Sequence, residues 1–112
     1  MNYNDFDRVI TKALSGLHDK FQQKGCKVWY MNAVEPTINE LSYSFNSSSD
    51  PDSSIKLTII NGEDEILFKV FDLESLIKLD NGRCSIKGIS SEGDIIDLIQ
   101  EKVCSVVKPF IK

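Results

Sequence analysis

The chain has 112 residues, of which 41% are hydrophobic and 27% are charged, and its formal net charge is −4. A chain of this length and composition is expected to fold as one domain, residues 1–112, and is not typical of a disordered or multidomain protein. No apolar stretch of about eighteen residues occurs, so no membrane-spanning helix is predicted. An odd number of widely spaced cysteines and an N-terminus without the pattern of a secretory signal favour the cytoplasm.

The N-terminal segment has the periodicity of an amphipathic helix. Asn4 is its predicted N-cap, and Lys24-Gly25 is its predicted end, where glycine can adopt the left-handed conformation. Its apolar residues recur every three or four positions and form one stripe that the fold must bury: Phe6, Val9, Ile10, Ala13, Leu14, Leu17 and Phe21.

Two strands are predicted after this helix. Residues 26–31 are rich in β-branched and aromatic side chains, and apolar and polar residues alternate over 38–46. Pro36 is predicted to interrupt the chain between these strands. Residues 46–54 are rich in Ser, Asp and Pro and are predicted to form a mobile loop within the domain.

A β-hairpin is predicted around Asn61-Gly62, because both residues tolerate positive φ. It joins strands at 55–60 and 65–71. A four-residue connection pairs Ile59 with Ile66, and a two-residue connection shifts this register by two without changing the buried face. The opposite face mixes charged and apolar side chains, so a helix or a partner is expected to cover it: Lys56, Thr58, Ile60, Glu65, Leu67, Lys69 and Phe71.

The segment after this hairpin fits two structures. Residues 72–80 suit either a helical turn that begins at Asp72 or a strand that leads into a hairpin turn at Asn81-Gly82. We favour the helical turn, followed by a last strand at 83–89.

A second amphipathic helix is predicted over 92–108. Ser91 and Asp94 form a capping box at its start, and Pro109 marks its end. Adjacent strands with short connections pair antiparallel, and two terminal helices can cover one face of such a sheet. The predicted fold is therefore an α+β two-layer sandwich, an antiparallel meander of four to five strands with N-terminal and C-terminal amphipathic helices.

The sequence contains no recognisable catalytic constellation. His18 is the only histidine, and the nearby Cys26 belongs to no known cysteine-nucleophile motif. A calcium loop that starts at Asp50 would need glycine and glutamate where the chain has Ile55 and Asn61. We therefore expect no enzymatic activity, no metal and no cofactor.

Acidic residues are concentrated in the centre of the sequence. Residues 50–80 contain eight Asp and Glu residues against three lysines. This excess disfavours nucleic acid, whose backbone is bound by basic surfaces, and favours a basic protein as the partner of an acidic sheet surface. The predicted partner-binding residues are Asp50, Asp52, Ile60, Glu63, Asp64, Glu65 and Leu67.

Three functions are compatible with these observations. The first is a protein-binding module of the inhibitor or immunity type, which neutralises a basic effector such as a nuclease toxin and contacts neither nucleic acid nor membrane. The second is an acidic, homodimeric secretion chaperone, although that class usually has a helix where the Asn61-Gly62 hairpin stands. The third is a small enzyme of unrecognised type. The acidic centre and the lack of catalytic motifs favour the first.

Overall fold

The computed structural model describes residues 1–17, 28–37, 39–47 and 54–110. Five strands form one antiparallel sheet in the order β1-β2-β3-β4-β5, which confirms the predicted α+β meander. A short 3₁₀ helix, Lys108–Phe110, follows the second helix. The main elements are α1 (Tyr3–Ser15), β1 (Val28–Thr37), β2 (Glu40–Ser47), β3 (Ile55–Asn61), β4 (Glu65–Asp72), β5 (Lys78–Ser85) and α2 (Glu92–Val107).

Both helices pack on the same face of the sheet, which we call the helix face. Side chains alternate between the two faces of a strand, so every second residue of β2, β3 and β4 points to the helices. These residues are buried in a single core with the apolar stripes of α1 and α2. The strand contributions are Leu41, Tyr43, Phe45, Ile55, Leu57, Ile59, Ile66, Phe68 and Val70.

The helix boundaries follow from their caps. In α1 the N-cap is Asn2, whose Oδ1 accepts a hydrogen bond from the Asp5 amide at 2.8 Å, so the prediction of Asn4 was wrong by two residues. The helix ends at Ser15, and the predicted end at Lys24-Gly25 lies outside the described residues. In α2 the predicted cap is confirmed, because the Ser91 hydroxyl accepts from the Asp94 amide at 3.4 Å.

Pro36 lies inside β1, so the prediction that it interrupts the chain was wrong. Among the described strands β1 pairs only with β2, which makes it an edge strand. Proline lacks the amide hydrogen that a central strand needs, and an edge strand or an irregular pairing tolerates it. The register of β1 and β2 is indeed irregular between Val34 and Thr37. The predicted loop over 46–54 is also shorter at its start, because β2 continues to Ser47; residues 48–53 lie outside the description.

The β3–β4 hairpin turns at Glu63 and Asp64. The Gly62 amide donates to the Glu65 carbonyl at 3.0 Å, and Asp64 takes the left-handed conformation with φ 57°. Ile59 consequently pairs with Phe68, a register shifted by two from that of the four-residue connection, as the alternative two-residue connection predicted. The buried face was predicted correctly, because a shift of two residues does not exchange the faces of a strand.

The ambiguous segment contains a short turn and the first half of β5. Asp72 accepts hydrogen bonds from the Ser75 amide (2.9 Å) and, through its carbonyl, from the Leu76 amide (2.8 Å). The last strand then begins at Lys78, so the predicted range 83–89 was wrong. Gly82 is not in a turn but within β5, opposite Phe68.

Gly82 allows α2 to approach the sheet closely. A β-carbon at this position would lie 2.9 Å from Lys102 Cε and 3.0 Å from Val106 Cγ1. A side chain there would therefore require the Lys102 and Val106 side chains to move. Asn-Gly is typical of turns in sequence, but here Gly82 serves close packing against the helix.

Candidate functional site

The face opposite the helices, which we call the open face, carries three rows of cross-strand neighbours. Both described helices pack on the other side, so neither covers it. In the middle row the Ser42 and Thr58 hydroxyls lie 3.0 Å apart and are buried. The rows run from β2 to β5 as Glu40–Ile60–Leu67–Arg83, Ser42–Thr58–Lys69–Asn81 and Ser44–Lys56–Phe71–Lys78.

One end of the open face is acidic around an apolar pair. Ile60 and Leu67 lie directly opposite each other and are both half-buried. We call the surface around them the acidic end. It consists of Glu40, Ile60, Glu63, Asp64, Glu65 and Leu67.

The carboxylates of the acidic end are only partly neutralised. Arg83 borders this surface, with its Nη1 atom 4.0 Å from Glu65 Oε2. Because the Arg83 side chain is largely exposed and the distance is long, this contact contributes little to stability. The guanidinium and the carboxylates therefore remain available to a partner.

The structure brings together five of the seven predicted partner-binding residues. Ile60 and Leu67 form the apolar pair, Glu65 begins β4 on the same face, and Glu63 and Asp64 are exposed in the turn beside it. The other two, Asp50 and Asp52, lie outside the described residues.

The other end of the open face is basic. Phe71 pairs with Lys56 on one side and Lys78 on the other, and Lys69 precedes it by two residues on the same strand. We call this surface the basic end. The expectation of an acidic sheet surface was therefore right for one end only, because local charge totals do not distinguish the two faces of a strand. The alternation of side chains in 55–71 was the signal that could have separated them.

A second acidic surface lies on the helical side of the molecule. A shallow groove there is lined by Ile89, Leu98 and three carboxylates of α2, those of Asp94, Asp97 and Glu101. Leu98 is 39% exposed, on the polar side of the helix. The contribution of Ile89 was missed because it depends on how the β5–α2 connection folds.

Tyr43 belongs to the core and not to the open face. Its side chain is buried on the helix face, and burial raises the pKa of its hydroxyl, against a hydrogen bond with Thr11 that lowers it. The side chains of Trp29 and Tyr30 lie outside the description. The Tyr43 ring therefore contributes to the core and not to the surface of the open face.

No metal-binding group of three His, Cys, Asp or Glu side chains occurs in the described parts of the chain. His18 and Cys26 lie outside those parts. Burial raises the pKa of the Cys84 thiol, although the Lys102 ammonium opposes this shift. A raised pKa keeps the thiol protonated, which disfavours it as a nucleophile. None of the helices described is both long and apolar enough to span a membrane.

Comparison with known proteins adds no relative to these observations. No family model, curated protein or solved structure matches the chain. The candidate site consists of an apolar pair, with carboxylates on one side and at one end of it, on a sheet face that neither described helix covers.

Proposed function

We propose that this chain is a non-enzymatic protein-binding module whose acidic end binds a basic surface of another protein. The observation that carries the proposal is the Ile60–Leu67 pair on the open face, with Glu40 beside it and the carboxylates of the β3–β4 turn at its end. In the favoured form of the proposal, the chain is a stoichiometric inhibitor of the immunity type, and its partner is a basic effector such as a nuclease toxin.

The two parts of the acidic end have different roles in this proposal. Burial of the apolar pair supplies affinity, at about 25 cal/mol for each Å² of apolar surface removed from water. The carboxylates steer the encounter with a basic surface and raise the association rate, an effect that salt screens. The complex is therefore expected to form quickly at low ionic strength and more slowly as salt is added.

Site-specific crosslinking can locate the partner on the molecule. We expect a photoreactive phenylalanine analogue at Leu67 to crosslink a basic protein in lysate of the native host. The same analogue at Leu98, an exposed leucine of α2 on the helical side, serves as the control. Crosslinking at position 98 but not at position 67 would move the interface to the helical side.

Charge reversal tests the role of the carboxylates once the partner is identified. We expect Glu63→Lys with Glu65→Lys to slow association several-fold at low salt and to change the free energy of unfolding little, because both residues lie at the surface. The matched control is Asp94→Lys with Asp97→Lys on α2. Equal effects of the two double variants would show that only net charge matters and would contradict the proposed site.

Inhibition is measured separately from binding. We expect the chain to inhibit its partner at a ratio of one to one, with a loss of activity of the partner that follows occupancy. A partner that keeps full activity in the complex would refute the inhibitor form of the proposal while leaving the binding module intact.

A further inference from the structure

The strand β5 forms an exposed edge of the sheet. Among the described strands it pairs only with β4, and most of its side chains are exposed. The segment that leads into it carries exposed apolar side chains: Leu76 is 58% exposed, Ile77 65% and Leu79 40%. Leu76 also has φ 60°, an unfavourable conformation for a leucine. Exposed edges with apolar residues are sites where another strand can add.

The backbone hydrogen bonds show which β5 residues face outward. The Ile86 amide donates to the Asp64 carbonyl at 2.9 Å, which sets the phase of the β4–β5 ladder. In an antiparallel ladder the bonding residues alternate, so Cys84, Gly82 and Asp80 bond to β4 over the part of the ladder whose register is regular. The amide and carbonyl groups of Asn81 and Arg83 therefore point to the open edge.

Two opposite charges lie unpaired beside this edge. The Lys102 side chain is half-buried, with its ammonium nitrogen 3.7 Å from the position that a β-carbon of Gly82 would occupy. Within the described residues it makes no ion pair. Asp80 is exposed on the helix face, and among the described residues its carboxylate bonds to the neighbouring Asn81 amide, at 2.8 Å, and to no cation. A partner at this edge could therefore supply an anion to Lys102 and a cation to Asp80.

A second copy of the same chain meets both requirements. We propose that the protein forms a homodimer in which two β5 strands pair antiparallel, with Asn81 opposite Asn81 of the second copy. This register places Asp80 opposite Gly82 of the second copy, next to its Lys102, and symmetry creates the same ion pair twice. The two five-stranded sheets then form one continuous sheet. The interface is isologous, as expected for a twofold dimer.

The register satisfies the backbone as well as the charges. Asn81 pairs with Asn81 at the centre of the interface, and Arg83 lies opposite Leu79 of the second copy, where the β4–β5 register is irregular. The hydrogen-bonding positions that the regular part of the ladder defines, Asn81 and Arg83, are odd-numbered. These are the residues whose backbone groups face the edge. The twofold axis lies perpendicular to the sheet, which keeps both helical layers on one side and both open faces on the other. The inference is independent of the proposed function, because the acidic end stays accessible in both copies.

A charge exchange tests the dimer most sharply. We expect wild-type protein to show a concentration-dependent monomer–dimer equilibrium in sedimentation velocity. Asp80→Lys and Lys102→Asp should each weaken self-association at least about tenfold, since each brings like charges together. An equimolar mixture of the two variants should dimerise again, because the heterodimer has one ion pair of native polarity and one of reversed polarity. A mixture that stays monomeric would overturn the proposed register.

Two further measurements decide the matter if a variant fails to fold. Amide hydrogen exchange of wild-type Arg83 should slow as the protein concentration rises, and unchanged exchange would overturn the proposal. Asp80→Ala distinguishes two roles of Asp80. The side chain either forms the proposed ion pair in the dimer or, as charged residues on edge strands can do, prevents another strand from pairing with β5. Weaker self-association of Asp80→Ala supports the dimer, whereas stronger self-association shows that Asp80 guards the edge and refutes it. A wild-type chain that is monomeric at all concentrations refutes it too.

Discussion

The Gln100 side chain of α2 bonds to the last turn of α1, where the backbone carbonyl groups lack amide partners within the helix. The last four carbonyl groups of a helix receive no hydrogen bond from an amide of the same helix. The Gln100 side chain, 7% exposed, donates from Nε2 to the Ala13 carbonyl at 3.0 Å and so satisfies one of them. Gly16 makes room for this contact, because a β-carbon there would lie 2.8 Å from Nε2. Apolar periodicity could not predict this contact, since it marks only the apolar members of a buried face.

A double-mutant cycle tests the link between Gln100 and Gly16. Gln100→Ala should lower the free energy of unfolding by about 1–3 kcal/mol, because a buried carbonyl loses its partner. Gly16→Ala should be destabilising in the wild type, where it displaces Nε2. It should be neutral or stabilising beside Gln100→Ala, since alanine has the higher helix propensity and φ −88° suits it. Urea denaturation measures the coupling, expected at about 1–2 kcal/mol, and additive effects would contradict it.

At the scale of elements, the helices are also joined by an ion-pair cluster at the start of α2. Glu92 accepts a hydrogen bond from Arg8 Nε at 2.8 Å and lies 3.3 Å from Lys12 Nζ. These contacts, the one with Arg8 first, hold the pKa of the Glu92 carboxyl below its ordinary value of 4.5. All three side chains are partly or largely exposed, so solvent screens the cluster and its contribution is small.

The lowered pKa gives a pH dependence of definite sign. A carboxyl with a lowered pKa in the folded state contributes stability above its unfolded pKa, and that contribution is lost as the pH falls through the folded value. We expect the stability difference between wild type and Glu92→Gln to be present at neutral pH and to shrink below pH 4.5. Unfolding measured from pH 7 down to acid, with Asp97→Asn as the control, checks this. A difference that is constant over this range would contradict the assignment.

The elements themselves were predictable where one local pattern decides them. The apolar stripe from Phe6 to Leu17, the Ser91 cap and the alternation of β3 and β4 depend on residues close in sequence, and each prediction is confirmed; Phe21 lies outside the described residues. The predictions were wrong where the role of a residue depends on its position in the sheet. Pro36 is tolerated because β1 lies at an edge, and Gly82 packs against α2 instead of turning. Neither fact is present in the local sequence.

Element positions also explain how much of the candidate site could be predicted. The apolar pair of Ile60 and Leu67 followed from alternation alone, because those residues were apolar on the face opposite the core. Glu40 and Arg83 were missed as members of the same row, since their place depends on the registers of β2 with β3 and of β4 with β5. Register is set by turns, and the turn at Asp64 was not the one indicated by Asn61-Gly62.

At the scale of the whole molecule, the two ends of the open face carry charge of opposite sign. The acidic end lies beside the β3–β4 turn, and the basic end surrounds Phe71 toward the other end of the same strands. A net charge of −4 does not describe this arrangement. A uniformly basic partner is attracted by one end and repelled by the other, so the proposed binding orientation is selected by both ends together.

The basic end therefore makes a prediction opposite to that of the acidic end. Lys56→Glu with Lys69→Glu removes the repelling charges, and we expect it to accelerate association with the basic partner at low salt, while Glu63→Lys with Glu65→Lys slows it. Both effects should converge toward the wild-type rate as ionic strength rises, because the Debye length falls to about 3 Å at 1 M salt. Stopped-flow association rates at several salt concentrations measure this. If reversing the lysines slowed association at low salt, the partner would have to carry an acidic surface against Phe71, and the acidic end alone could not set the binding orientation.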